Sequence, residues 1–292
     1  MIPALLLLTL LLAYPLSSGP VIAFYWNKYG ALPERVAHFY YPVWLAHHNS
    51  KTVGNVIDWY TGLWFQGKKL APGVGGSSVH SRGNARFELL GMLDEYGGRP
   101  LDDAGSIERF YPAETAKADH FEKVLGEVCA DESLPKDWLR DKENAGHIHF
   151  IGKVIAASIN SSYVADSRYG FGGDAVGVLA PSVLRSASKA DMLRYIAGAY
   201  VRYGDDQSAH RAFFSAPNNG GKFCVLTDFL SRLGCDDIRF YDDQATPTGG
   251  VLTFRPSAEV KAVTGISREI TPEELKALFF NPFKEERLPH FL

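Results

Sequence analysis

Leu5-Leu6-Leu7-Leu8-Thr9-Leu10-Leu11-Leu12 is the stretch whose reading decides how the rest of this chain is organised. It lies inside a charge-free segment, Met1 to Asn27, and the first charged side chain is Lys28. A helix that spans a bilayer needs about 20 mostly apolar residues. Ala4 to Trp26 is long enough, but Pro15 and Pro20 interrupt it. Ala4 to Tyr14 alone would reach only about 16 Å, so a full span runs kinked through both prolines, which membrane helices tolerate. A cleaved signal peptide would want a basic residue before the apolar run and small residues before the cut. No basic residue precedes Leu5, and Pro20 would follow a cut after Ser17-Ser18-Gly19. Residues 1–27 therefore read as an uncleaved transmembrane anchor. Lys28 and Arg35 follow it, so the positive-inside rule places the remainder in the cytoplasm, with an extracytoplasmic domain as the alternative.

Phe24 to Phe65 holds four of the chain's five tryptophans, Trp26, Trp44, Trp59 and Trp64. Trp and Tyr concentrate where hydrocarbon meets headgroup, so residues 28–66 read as aromatic helices lying in the interface. Tyr14-Pro15-Leu16-Ser17-Ser18-Gly19-Pro20, Phe39-Tyr40-Tyr41-Pro42 and Asp58-Trp59-Tyr60, ending in Leu63-Trp64, resemble short, uncharacterised single-span bacterial membrane proteins. The resemblance covers only about residues 1–66. It implies a membrane module and no activity.

Composition bounds the rest. Hydrophobic residues make up 46% of 292, enough for a real core, and the net charge is −3. Residues 70–292 hold 25 basic and 31 acidic side chains, a net −6. A mildly acidic domain argues against nucleic acid as the partner. Cys129, Cys224 and Cys235 have no short paired spacing, so buried free thiols are expected rather than disulfides or a zinc knuckle. Gly73, Gly75, Gly76 and Gly83 with Ser77, Ser78 and Ser81 mark residues 67–84 as a linker.

Beyond it, residues 85–270 read as an α+β soluble domain behind the N-terminal transmembrane helix, helix-rich with a small antiparallel sheet or hairpin, followed by a C-terminal helix and tail, 271–292. Helical periodicity marks Ala85 to Tyr96 and Ala113 to Ala130. A helix starts at Ser188 with Asp191 as its capping partner. Another runs from Lys222 to Leu233, with Gly234 as its stop. Ala175 to Ala180 reads as a strand. Ile238 to Tyr241 and Val251 to Phe254 read as an antiparallel pair. Thr271-Pro272-Glu273-Glu274 is the clearest helix start. No internal repeat is evident.

Candidate chemistry is sparse. Tyr203-Gly204-Asp205-Asp206 spells a metal-binding turn of polymerases, but the residues before it are helical and those after it polar, so a helix end capped by Gly204 is the plainer reading. Ser133 and Ser186 each have a lysine three residues on, a four-residue pattern that chance supplies. His147-Ile148-His149 would put two imidazoles on one face of a strand, half of a Zn²⁺ site. With Arg168 and Asp174 these histidines form the candidate ligand or metal set, His147, His149, Asp174 and Arg168. The expectation is a membrane-anchored, single-pass binding module with the lipid bilayer and a protein as partners and no nucleic acid. The alternative is a membrane-anchored hydrolase, with or without a divalent metal, using residues 147–174.

Overall fold

The computed structural model describes residues 84–95, 98–101, 105–142, 146–166, 176–205, 210–217, 220–242, 249–279 and 283–286. The expected anchor, the aromatic collar and all of the linker up to Gly83 lie outside them. No helix among the described residues is long and apolar enough to cross a membrane.

The elements, in order, are α1 (Ala85–Met92), β1 (Ser106–Phe110), α2 (Thr115–Asp131), β2 (Leu139–Lys142), β3 (Ile148–Ile151), α3 (Lys153–Asn160), β4 (Tyr163–Asp166), β5 (Val176–Leu179), α4 (Pro181–Ser186), α5 (Lys189–Tyr203), β6 (Arg211–Pro217), α6 (Gly220–Arg232), β7 (Asp236–Asp242), β8 (Gly249–Arg255), α7 (Ala258–Thr264), β9 (Arg268–Glu269), α8 (Pro272–Ala277) and β10 (Lys284–Glu286). Mixed helix and sheet is thus correct. So are the hairpin of β7 and β8 and the capping boxes of α5, Ser188 with Asp191, and of α8, Thr271 with Glu274. His149 to Ile159, a mainly apolar stretch too short to tell helix from strand by period, divides into β3 and α3 at Gly152. All three cysteines are free and buried.

One arrangement occurs twice. Helix, strand, helix, hairpin, helix describes α1–β1–α2–β2–β3–α3 and again α5–β6–α6–β7–β8–α7. The strand orders agree as well. β1-β3-β2 forms one antiparallel sheet, and β6-β8-β7 forms the middle of the other, which β10 and β9 extend at its edges. The hairpin's second strand is central in both.

The halves meet along α1 and α5, which run parallel. At their starts the Asn84 backbone N–H donates to Asp191 Oδ1 at 2.9 Å. At their ends Tyr203 Oη donates to the Leu93 carbonyl at 2.7 Å. Between these points the helices approach to backbone contact. A Cβ on Gly91 would lie 2.2 Å from the Tyr195 carbonyl oxygen, and one on Gly198 would lie 2.1 Å from that of Glu88. The contacts are reciprocal: each glycine takes a carbonyl lying three residues before the other. This relates the halves by an approximate two-fold axis along the helix pair. α1 is apolar on most sides because it is wrapped on most sides; Ala85, Phe87, Leu89, Leu90 and Met92 are all buried.

Each sheet packs one face on helices. In the first half Phe110 and Phe150 meet Phe121 of α2, each at 5.2 Å between ring centroids. In the second, Phe214 stacks on Phe254 at 5.4 Å and Phe240 meets Phe223 of α6 at 5.1 Å.

Candidate functional site

Two places in this fold hold polar chemistry: the buried ends of α1 and α5, and the sheet faces turned away from the helices.

At the buried end, Lys222 reaches from α6 into the first half. Its Nζ donates to the carbonyls of Leu90 and Gly91 at 2.9 and 3.1 Å and lies 3.2 Å from Glu95 Oε1. A cation there also meets the negative end of the α1 dipole. Burial pushes the Lys222 ammonium below its ordinary range, and Glu95 works against that. Tyr163 Oη donates to the same carboxylate oxygen at 2.9 Å. Beside it, Arg202 stacks 4.0 Å over Phe110 and has Glu114 at 3.3 Å and Glu108 at 3.7 Å. Glu108 accepts from the backbone N–H groups of Asp94 and Arg109 at 2.6 and 2.8 Å. Its carboxyl is pushed up to about 7 by burial, to which the charge of Asp94 adds; Arg202, beyond hydrogen-bond length, opposes but does not cancel the effect. All of Lys222, Glu95, Glu108 and Arg202 are buried. The network locks one half to the other.

Asp205, of the polymerase-like tetrapeptide, belongs to this structural category. It forms a two-pronged pair with Arg211 at 2.8 and 3.1 Å just after α5 ends at Tyr203, with Gly204 as cap.

The outer sheet faces differ between the halves. In the first, cross-strand register aligns Arg109, His149 and Asp141 in one row and Ser106, Ile151 and Leu139 in the next. Arg109 and Asp141 are exposed, and Leu139 is 71% exposed. Ser106 Oγ lies 2.9 Å from His149 Nε2. The corresponding rows of the second sheet are Ser215, Val251 and Tyr241, and Phe213, Thr253 and Arg239. There Phe213 and Val251 are buried under Leu275 of α8, with Ile270, Leu278, Phe279 and Phe283 packed around them.

Of the residues singled out from sequence, His149 is on the open face. His147 is just before β3, buried, with its ring 5.2 Å from that of Tyr111. Arg168 and Asp174 lie outside the described residues. Among those described, no group of three or more His, Cys, Asp or Glu could hold a metal ion. Sequence reasoning missed Arg109 and Ser106. The signal was Ser106-Ile107-Glu108-Arg109-Phe110 between Gly105 and Pro112, a strand-length run whose alternation Glu108 spoils by being buried.

No protein-family model matches the chain, and no curated protein does. Similar solved structures are those of the homing endonuclease I-DmoI. One, in complex with DNA and Ca, has a TM-score of 0.44 and 14% identity over 66% of this chain and 96% of that one. Another, of its mesophilic variants, has a TM-score of 0.44 and 15% identity over 64% of this chain and 97% of that one.

These findings bear on the sequence-based reading. The similar structures are of a homing endonuclease, one of them in complex with DNA, and none is a membrane-anchored binding module, so the expected lipid-bilayer partner and the exclusion of nucleic acid find no support among them. The single-pass membrane localisation finds no support in the structure either: no described helix is long and apolar enough to cross a membrane, and residues 1–27 lie outside the described residues. The physical reason is that both expectations rested on residues 1–66 and on net charge. Neither reports how the folded residues are arranged, and net charge hides where the acids lie.

Proposed function

We propose that this protein recognises duplex nucleic acid through the outer face of the β1-β3-β2 sheet. The observation that carries the reading is the open, polar row of Arg109, His149 and Asp141 on an antiparallel sheet whose other face packs on α2 through Phe110 and Phe150. A two-stranded β-ribbon is one of the two elements that fit the major groove, and here the hairpin of β2 and β3 supplies it. Arg109 is the donor type that reads guanine edges or phosphates. His149 and Ser106 add hydrogen-bonding groups that work with bases of either sign of polarity.

The acidic excess lies largely elsewhere. Asp119, Glu122, Glu127 and Asp131 ride on α2 and Glu132 just beyond it, behind the sheet. Asp119 and Glu122 are occupied by Arg140, at 2.6 and 2.7 Å.

The test is fluorescence anisotropy of labelled duplexes, random and enriched in sequence by selection, titrated with the full chain at low salt. Saturable binding that Arg109→Ala weakens is expected. Absence of binding to every duplex would remove the proposal.

A further inference from the structure

We infer that the nucleic-acid surface is confined to the first half, because the chain's own C-terminal segment permanently occupies the matching face of the second. The inference rests on the reading above for what binds, and on the structure for which face is closed.

The two faces occupy equivalent positions. Val251, on the outer face of the second sheet's central strand, is 1% exposed, whereas His149, on that of the first sheet's central strand, is partly open. The cover is built rather than loosely laid. α8 starts with a reciprocal capping box, Thr271 with Glu274. Arg268 grips the Glu274 carboxylate with two nitrogens, at 2.8 and 2.7 Å. Arg211, from β6 of the covered sheet, adds a contact at 3.6 Å. Leu275 inserts over Phe213 and Val251. Phe279 and Phe283 stack at 4.4 Å, and Phe283 meets Tyr241 edge-on at 5.5 Å. Then β10 pairs with β7 and closes that edge.

The composition of each face agrees with its occupant. The covered part of the second face carries Phe213, Val251 and Tyr241, which suit a protein cover, while Ser215 and Arg239 at the two ends of its rows stay exposed. The open face carries Arg109, His149 and Asp141, which suit a wet, polar partner. The large hydrophobic side chains most exposed among the described residues, Tyr111, Leu139, Val154 and Val164, all belong to the first half or its β4 extension. A protein with this asymmetry engages one half-site of a duplex, although its fold has the two-fold arrangement of a two-site reader.

Two measurements test this. The first compares Arg109→Ala with Arg239→Ala in duplex binding. A loss of at least about fivefold is expected for Arg109→Ala, against less than about twofold for Arg239→Ala. Equal losses would overturn the confinement. The second needs no nucleic acid. Cysteine is introduced by Asp141→Cys or by Thr253→Cys, and labelling by a maleimide is timed in the native full chain, whose own cysteines are buried. Fast labelling at 141 with slow labelling at 253 supports the closed face; equal rates overturn it. If wild-type protein binds no duplex, the functional reading fails while the labelling rates still decide whether the face is closed.

Discussion

Gly91 and Gly198 stand at matching points of α1 and α5, and each is the place where the other helix's backbone comes too close for a side chain. A methyl group at either would meet a carbonyl oxygen at 2.1 to 2.2 Å. The obstacle is main chain on both sides, so a rotamer change gives no relief. Gly91→Ala and Gly198→Ala are each expected to destabilise by more than about 2 kcal/mol, since overpacking of a close contact typically costs 1–3 kcal/mol. Urea unfolding of the two variants checks it. A loss below about 0.5 kcal/mol at both positions would mean that the helices do not cross here.

The Lys222–Glu95 pair gives a second expectation. Removing one member of a buried ion pair leaves an uncompensated charge and costs about 3–5 kcal/mol, whereas replacing both is often close to neutral. Lys222→Met should therefore be severely destabilising. Glu95→Gln combined with Lys222→Met should recover a substantial part of the loss, because the remaining Gln still accepts from Tyr163. A double-mutant cycle in chemical denaturation reads the coupling. Strictly additive effects would show that the two groups are not paired.

Glu108 adds a pH dependence opposite in sign to that of most carboxylates. Its folded value is about 7 against an ordinary 4.5, so the folded state holds the proton more tightly than the unfolded one. Stability from this group rises as pH falls from about 8 through 7 and levels off below about 4.5. Its full range is on the order of 3 kcal/mol. Glu274 behaves conventionally: held at about 2, chiefly by Arg268, it contributes above about 4.5 and loses that contribution as pH falls towards 2. Thermal melts of wild type and Glu108→Gln at pH 8 and pH 6 isolate the first effect. The wild type should gain more than the variant between those values. Parallel shifts would place Glu108 in its ordinary range.

Much of the fold is legible in local sequence because local physics fixes it. Ser188 and Asp191, or Thr271 and Glu274, announce helix starts through bonds spanning three residues. Ile238 to Tyr241 and Val251 to Phe254 announce a hairpin. The duplication is not legible, because the two halves share geometry and hardly any residues. The outer row Arg109, His149 and Asp141 has no counterpart in the second sheet, whose outer rows read Ser215, Val251, Tyr241 and Phe213, Thr253, Arg239. What recurs is short: the glycine at the helix crossing, Gly91 and Gly198, and five residues on from each a Tyr-Gly pair, Tyr96-Gly97 and Tyr203-Gly204; a glycine within a helical pattern reads as a blemish until its neighbour is seen. The open face was half legible: His149 stands out as a histidine, whereas Arg109 becomes notable only once β1 is paired. The leading error had a different origin. Net charge and the leucine-rich start describe the chain as a whole or its first quarter, and the candidate site depends on which face of a sheet each side chain takes.

Salt dependence separates recognition by the sheet from attraction by any other basic part of the chain. Each phosphate neutralised by a Lys or Arg releases counterions, so the slope of log K against log salt is about −0.9 per contact on B-form DNA. The outer face of the first sheet exposes one basic side chain, Arg109; Lys142, opposite Ile148, alternates onto the helix-packed face with Arg140, which pairs with α2. Binding through this face is therefore expected to have a shallow slope, about −1. Arg109→Ala should flatten it by about one unit. A slope near −5 would require more cations than the sheet offers. It would move the interface to a segment such as residues 28–83, where Lys28, Arg35, Lys51, Lys68, Lys69 and Arg82 lie. In that case Arg109→Ala would leave the slope unchanged, so the same titration series identifies which part of the protein carries the contact.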